Sequence, residues 1–220
     1  IINSNADFIV NCVGAIPQKK YQNQYYKFLN INLPLFLDSV GKKIIHPSTD
    51  CEFSGDLEYP NKYKKFDEND AYDVYGISKA IATNRLLHEG DNTKILRTSI
   101  IGHELYTNYS LLDWFLSNNN NFAINGFVNH YWNGITTLQW AIFIEKYIKN
   151  WDDMEYLIQI GSNIVTKYEL LNIIKEVYKK PIEINKYKTD KTINKSLESD
   201  FKLPEIREQL INLKFFYENL

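Results

Sequence analysis

Apolar and polar positions divide the chain into strand-forming and helix-forming stretches. Asp7-Phe8-Ile9-Val10-Asn11-Cys12-Val13-Gly14 is a short apolar run ending at a glycine, and it predicts a buried strand. Residues 21–40 carry apolar side chains at helical spacing, with Gly41 as the stop. Pro34 inside that stretch predicts a kink or a late helix start. Residues 43–48 predict a second strand, and the Lys-, Asp-, Asn- and Tyr-rich residues 55–73 a surface loop. Residues 75–88 predict a helix in which Ile77, Ile81 and Leu87 share a face with Ala80, and residues 94–101 predict a third strand. This alternation predicts a parallel sheet with right-handed crossovers.

Beyond Gly102 the pattern changes. Ser110 is placed to cap a helix over 111–116, residues 118–121 form a polar turn, and Thr136 is placed to cap a helix reaching Lys149. Residues 156–160 predict a strand. Thr166-Lys167-Tyr168-Glu169 has the form of a capping box ahead of an amphipathic helix to Lys179. Residues 182–187 predict a short strand, and Pro204 fits the first turn of a last helix. With no internal repeat and no long linker, 220 residues are read as one large α/β domain with a smaller lobe.

Composition removes several functional classes. Lys and Arg total 25 against 27 Asp and Glu, without the basic face of a nucleic-acid binder. No apolar stretch approaches the ~20 residues of a membrane span, and no secretory signal opens the chain, so the cytoplasm is expected. Four scattered histidines give no metal-ligand spacing, and no metal is expected. Cys12 and Cys51, both in apolar segments, are expected to be reduced and buried.

Tyr75-Gly76-Ile77-Ser78-Lys79 carries the sharpest chemistry. One helical turn separates Tyr75 from Lys79, so both lie on one face. A cation there favours the phenolate and lowers the tyrosine pKa, and such a tyrosine can give a proton to a carbonyl oxygen. The bland reading is a surface pair on a helix. Upstream, His46-Pro47-Ser48-Thr49-Asp50-Cys51-Glu52-Phe53 is a strand ending in hydroxyl groups, where the active groups of a parallel sheet collect. Either hydroxyl could bond the same carbonyl oxygen, or could simply cap the strand end.

In this order the strings resemble the extended short-chain dehydrogenases/reductases, and among them the dTDP-4-dehydrorhamnose reductase group. That group shows a segment like Ser48-Thr49-Asp50-x-x-Phe53, then Tyr75-Gly76-x-Ser78-Lys79, then Leu96-Arg97-Thr98-Ser99. Asn133-Gly134-Ile135-Thr136-Thr137 and residues 195–203 are similar to it too, and the resemblance runs from Asp7 to Phe215. It implies a Rossmann-like parallel sheet formed by residues 1–101 and 127–150. A smaller C-terminal α/β substrate lobe would be formed by residues 102–126 and 151–220. The implied reaction is reduction by NADPH or NADH of the 4-keto group of a dTDP- or UDP-linked 6-deoxysugar, in rhamnose-type sugar biosynthesis. Tyr75 would be the general acid, Lys79 would bond the nicotinamide ribose, and Thr49 would polarise the keto group. Asn11, Cys12, Gly14, Ser48, Arg97, Thr98 and Ser99 would join Tyr75 and Lys79 in contacting the cofactor. Thr49, Asp50, Cys51, Phe53 and Tyr75 would contact the substrate. A relay asparagine on the preceding helix matches Asn32 or, equally, Asn30. A homodimer through the core helices is implied as well.

Two departures qualify the resemblance. The family opens with a glycine-rich turn that holds the cofactor pyrophosphate at a helix N-terminus. Here the first of nine glycines is Gly14, and no such turn occurs. The chain opens at Ile1 and its single methionine is Met154. The expectation is therefore a chain lacking about 60 residues ahead of Ile1, exposing a sheet edge and inactive by itself. Secondly, related dehydratases place Asp and Glu directly after the Thr. In Thr49-Asp50-Cys51-Glu52 an extended backbone would turn Glu52 away from Cys51, which favours reduction over elimination. The competing readings are a sugar-nucleotide epimerase or dehydratase, and a non-catalytic regulatory subunit of the kind similar to this reductase group.

Overall fold

The computed structural model describes residues 4–118 and 123–220. Strand β1 (Phe8–Val10) leads into a helical run made of α1 (Asn23–Tyr26), a π-helical stretch (Lys27–Asn32) and α2 (Leu33–Asp38). Pro34 has no N–H to give the carbonyl one turn back, so the helix widens ahead of it and continues. Gly41, at φ +70°, follows the end of that run. Next come β2 (Lys43–Ser48), a 3-10 turn (Asp50–Glu52), α3 (Val74–Glu89), β3 (Thr93–Arg97) and β4 (Ile100–Ile101). Then follow α4 (Leu111–Ser117), β5 (Ile124–Phe127), β6 (His130–Trp132), β7 (Ile135–Thr136) and α5 (Thr137–Lys149). The chain closes with β8 (Leu157–Gln159), β9 (Val165–Thr166), α6 (Lys167–Tyr178), β10 (Ile184–Tyr187), β11 (Ile193–Asn194) and α7 (Ile206–Glu218).

The main sheet has the order β1-β2-β3-β8 and is parallel throughout. Its side chains alternate between two cores. Ile45, Leu96 and Ile158 pack against Phe143, Ile144 and Tyr147 of α5. Ile95 and Leu157 pack on the other side against Leu35 of α2 and Leu86 and Leu87 of α3. Helices on both faces of a parallel sheet give the expected Rossmann-like α/β architecture. A third core brings Leu112 and Phe115 of α4 together with Leu170 and Ile174 of α6 and Leu210 and Leu213 of α7. Around it lie the pair β10-β5 and the sheet β11-β6-β9.

Several local expectations are corrected. The third strand stops at Arg97, and Ile100–Ile101 pairs with β7 instead of the main sheet. Leu157–Gln159, read from sequence as part of the lobe, hydrogen-bonds to β3 in the main sheet. Helix α3 buries Gly76, Ala80, Thr83 and Leu86, because small residues allow a closer approach to the sheet, and it leaves Ile77 and Ile81 exposed. The Ser110 hydroxyl donates to the Gly102 carbonyl and caps nothing, while Glu104 accepts the N–H groups of Tyr109 and Ser110. Pro204 precedes α7, whose N-cap is Glu205. The 55–73 loop is pinned from within: Tyr63 is buried and stacks on Phe53 at 4.2 Å. Apart from Asn118, the turn expected at 118–121 lies outside the described residues. The Thr136 cap and the Thr166–Glu169 capping box form as expected.

Candidate active site

The strands β1, β2 and β3 end at one edge of the main sheet, and the segments leaving them enclose a cleft of about 470 Å3. Cys12 to Gln18 form one wall, Pro47 to Cys51 the floor, and Thr98 to Ile100 another wall. Tyr75 and Lys79 reach the cleft from α3, and His103 and Trp140 line its far side. Strand carboxyl ends are where a parallel sheet leaves a crevice for ligands. Gly76 allows this arrangement. A Cβ there would collide with the Cys51 carbonyl and the Ala71 side chain. A glycine at that place lets the first turn of α3 rest on the turn that carries Thr49.

Thr49 caps that turn: its hydroxyl accepts the Cys51 N–H at 3.1 Å and donates to Asp50 Oδ1 at 3.1 Å. Burial pushes the Tyr75 phenol above its ordinary pKa. The neighbouring Cys51 thiol and the carboxylates of Asp50 and Glu52 add to the rise, and the Thr49 hydroxyl works against it. Tyr75 is therefore a neutral phenol, the form able to donate a proton. This overturns the expectation of a tyrosine acidified by Lys79. The Lys79 ammonium turns inward, donating to the Pro47 carbonyl at 2.6 Å and lying 3.4 Å from His46 Nε2. Burial lowers its pKa to about 8, with Glu52 partly restoring it. His46 is buried, and burial together with Lys79 holds its pKa well below the ordinary histidine value.

Beside this open cluster lies a closed one. Glu52 and Arg97 are fully buried and paired, Nη2 to Oε2 at 2.7 Å and Nε to Oε2 at 2.9 Å. Glu52 also accepts from the Ser48 and Thr83 hydroxyls and from Asn69. Arg97 also donates to the Lys65 carbonyl and to Gln159 Oε1, and its guanidinium lies 5.1 Å from the Phe53 ring centre.

The residues singled out from sequence divide accordingly. Thr49, Asp50, Cys51, Tyr75, Lys79, Thr98, Ser99, Cys12 and Gly14 line the cleft. Arg97 and Phe53 do not: they lie in the packed interior, so their expected contacts with cofactor and substrate are corrected. Ser48 borders the cleft, but its hydroxyl is given to Glu52. Asn11 lies behind the cleft, bonded to His46 Nδ1 at 3.1 Å. The backbone over 50–52 is a 3-10 turn and not extended, which sends Glu52 to the interior and Cys51 to the cleft. Of the two asparagines, Asn30 is buried and bonded to both backbone groups of Ala15 and to Ser78, and Asn32 is exposed. Cys12 is exposed and Cys51 half-buried, against the expectation of two buried thiols, and burial pushes the Cys51 thiol up to about 12. Sequence reasoning missed His46, whose place inside an apolar strand was the available signal. It also missed Trp140, whose buried indole N–H has no partner among the described residues. Asn133 is a clamp between segments, exchanging two hydrogen bonds with the Leu197 backbone.

The fold is shared with sugar-nucleotide reductases and dehydratases of known structure. Residues 32–118 match the family described as RmlD substrate binding domain. A dTDP-4-dehydrorhamnose reductase from Clostridium acetobutylicum superposes with a TM-score of 0.79 at 17% identity, over 96% of this chain and 81% of that one. The Bacillus anthracis dTDP-4-dehydrorhamnose reductase, solved in complex with NADP, gives 0.81 at 16% identity, over 96% and 80%. A dTDP-glucose 4,6-dehydratase from the same organism, solved in complex with NAD, gives 0.74 at 15%, over 98% and 73%. Identities this low establish a shared fold. No curated protein sequence matches the chain. Among the described residues, no helix is long and apolar enough to cross a membrane.

Proposed function

We propose that this chain carries the catalytic site of a reductase acting on the 4-keto group of a dTDP- or UDP-linked 6-deoxysugar, with NADPH or NADH as reductant. The observation that carries this reading is the neutral Tyr75 phenol beside the Thr49 hydroxyl in the cleft, with Lys79 at its floor. The residues present suit the nicotinamide-ribose half of a dinucleotide. Gly14 and Ala15 give a narrow backbone wall, Lys79 and Tyr75 offer donors to ribose hydroxyls, and Trp140 holds an unspent N–H. When bound, that cofactor supplies the hydride. Tyr75 gives its proton to the substrate oxygen, and Thr49, turning its one O–H away from Asp50 Oδ1, donates to the same oxygen.

The placement of Glu52 favours reduction over elimination. Asp50 and Glu104 border the cleft, but Glu52 is consumed by Arg97, so among the described residues of the segment that carries Thr49 only Asp50 offers a carboxyl group to the cleft. The lobe built on α4, α6 and α7 would carry the nucleotide end of the substrate. Phe28, Phe36, Ile77 and Ile81 are exposed on adjacent helices, and a second copy of the chain would cover them in the homodimer.

The test is nicotinamide oxidation with a dTDP- or UDP-4-keto-6-deoxysugar, comparing the protein with its Tyr75→Phe variant. Loss of the phenol is expected to lower kcat by about 10²–10⁴-fold with the fold intact. A variant that turns over as fast as the parent would remove Tyr75 from the reaction.

A further inference from the structure

His46 stands behind Lys79 in the middle of an apolar strand, and two hydrogen bonds fix what it presents. The Asn11 side-chain oxygen accepts the Val13 N–H at 3.1 Å, which turns the Asn11 amide N–H toward His46 Nδ1 at 3.1 Å. His46 Nδ1 must then offer its lone pair, and the proton of the neutral ring sits on Nε2. Nε2 lies 3.4 Å from the Lys79 nitrogen. An ammonium has only donors, so the ring N–H and the ammonium face each other donor to donor. Among the described residues, the one inward acceptor for Lys79 is the Pro47 carbonyl, at 2.6 Å.

We infer that His46 is a positioning residue for Lys79: with its tautomer pinned by Asn11, its Nε2–H turns the lysine's free donors toward the cleft and favours release of a lysine proton. The charged or titratable neighbours of Lys79 are His46 on β2, Glu52 on the 3-10 turn and Tyr75 one turn back on α3. Glu52 favours the ammonium, but its charge is already shared with Arg97. In the reductase reading, on which the catalytic consequence rests, a lysine that can both donate to the cleft and give up a proton is suited to resupply Tyr75.

Two measurements on the cofactor-free protein decide the inference without reference to turnover. Nitrogen-15 spectra of the wild-type protein report which ring nitrogen of His46 is protonated. Nε2–H is expected, and an Nδ1–H tautomer or an imidazolium at neutral pH overturns the inference. The Lys79 ammonium titration, assigned by its loss in Lys79→Arg, is then followed in His46→Gln and His46→Phe. Glutamine can take the Asn11 N–H on its oxygen and still show an N–H to Lys79, so its midpoint should match the wild type. Phenylalanine removes the dipole, and the midpoint should rise by about one unit. An unmoved midpoint in His46→Phe overturns the inference. Should His46→Phe not fold, the wild-type tautomer and the His46→Gln midpoint still decide. The pH profile of kcat/KM should follow the same shift. Absence of hydride transfer at every pH would sink the reductase reading instead, leaving the Lys79 midpoint to judge His46.

Discussion

Two buried polar clusters flank the end of β2, and they differ in what they leave unspent. In the Glu52–Arg97 cluster, Glu52 accepts from Ser48, Thr83, Asn69 and Arg97, and Arg97 donates to Glu52, Lys65 and Gln159. Such a network rigidifies and has nothing to offer a ligand. The cluster of Tyr75, Thr49, Lys79 and His46 is incomplete: a neutral phenol, a lysine with one inward acceptor and a donor-to-donor contact all border a cleft. Two groups of similar residues, joined by one short turn, thus divide into a structural anchor and a candidate reaction centre.

Breaking the closed cluster gives the largest expected effect. Arg97→Met leaves the Glu52 carboxylate buried without its partner, which should cost about 3–5 kcal/mol in urea unfolding. The double variant with Glu52→Gln should recover part of that loss, since the orphaned charge is gone. A cost under about 1 kcal/mol in the single variant would mean that water reaches Glu52, and the contrast between closed and open clusters would fail.

The open cluster should behave oppositely. Lys79 has a native pKa of about 8 against the ordinary 10.5. Between those values the unfolded chain holds more protons, so this group's contribution to stability rises with pH. Below pH 8 the lysine is charged in both states and the cost of burying it is felt in full. Lys79→Met should therefore be more stable than the wild type at pH 7, on the order of 2–3 kcal/mol. That advantage should vanish above about pH 10.5, where the wild-type lysine is neutral in both states. Unfolding curves of both proteins from about pH 6 to about pH 11 measure it. A wild type more stable at pH 7 would show that the Pro47 bond outweighs desolvation.

The sheet and most helices were legible because their signals are local: apolar runs, the Thr166–Glu169 box and the Thr136 cap each depend on a few adjacent residues. Tyr75 and Lys79 were legible as a pair for the same reason. What Lys79 does was not, because its partners, Pro47 and His46, lie on a different element. Arg97, Ser48 and Phe53 looked like site residues by their position in a motif. Their fate was decided by the 3-10 turn that sends Glu52 inward, and four residues read as extended chain carry no sign of it. The exposed Ile77 and Ile81 misled for a related reason. Apolar spacing marks a helix face, but Gly76, Ala80 and Thr83 set how closely α3 could approach the sheet.

The smallest effect separates two residues that sequence could not. Asn30 and Asn32 both lie in the widened helical stretch, two residues apart. The Asn30 oxygen accepts the Ala15 N–H at 2.8 Å, and its amide donates to the Ala15 carbonyl at 3.0 Å and to the Ser78 hydroxyl at 2.9 Å. Ala15 is fully buried, so Asn30→Ala strands two backbone groups beside the cleft and should cost about 1–3 kcal/mol. Asn32 is exposed, and Asn32→Ala should stay within about 0.5 kcal/mol of the wild type. The pair also tests how the cleft wall is held. The segment from Cys12 to Gln18 is almost free of regular structure, and Asn30 ties it to α3 through Ser78, which in turn donates to the Tyr75 carbonyl. If Asn30→Ala proves as mild as Asn32→Ala, the wall is held by other contacts, and Asn30 has no structural claim to be the relay asparagine. If it is costly, and turnover falls with it while Asn32→Ala turns over normally, one asparagine both fixes that wall and supports the helix that presents Tyr75.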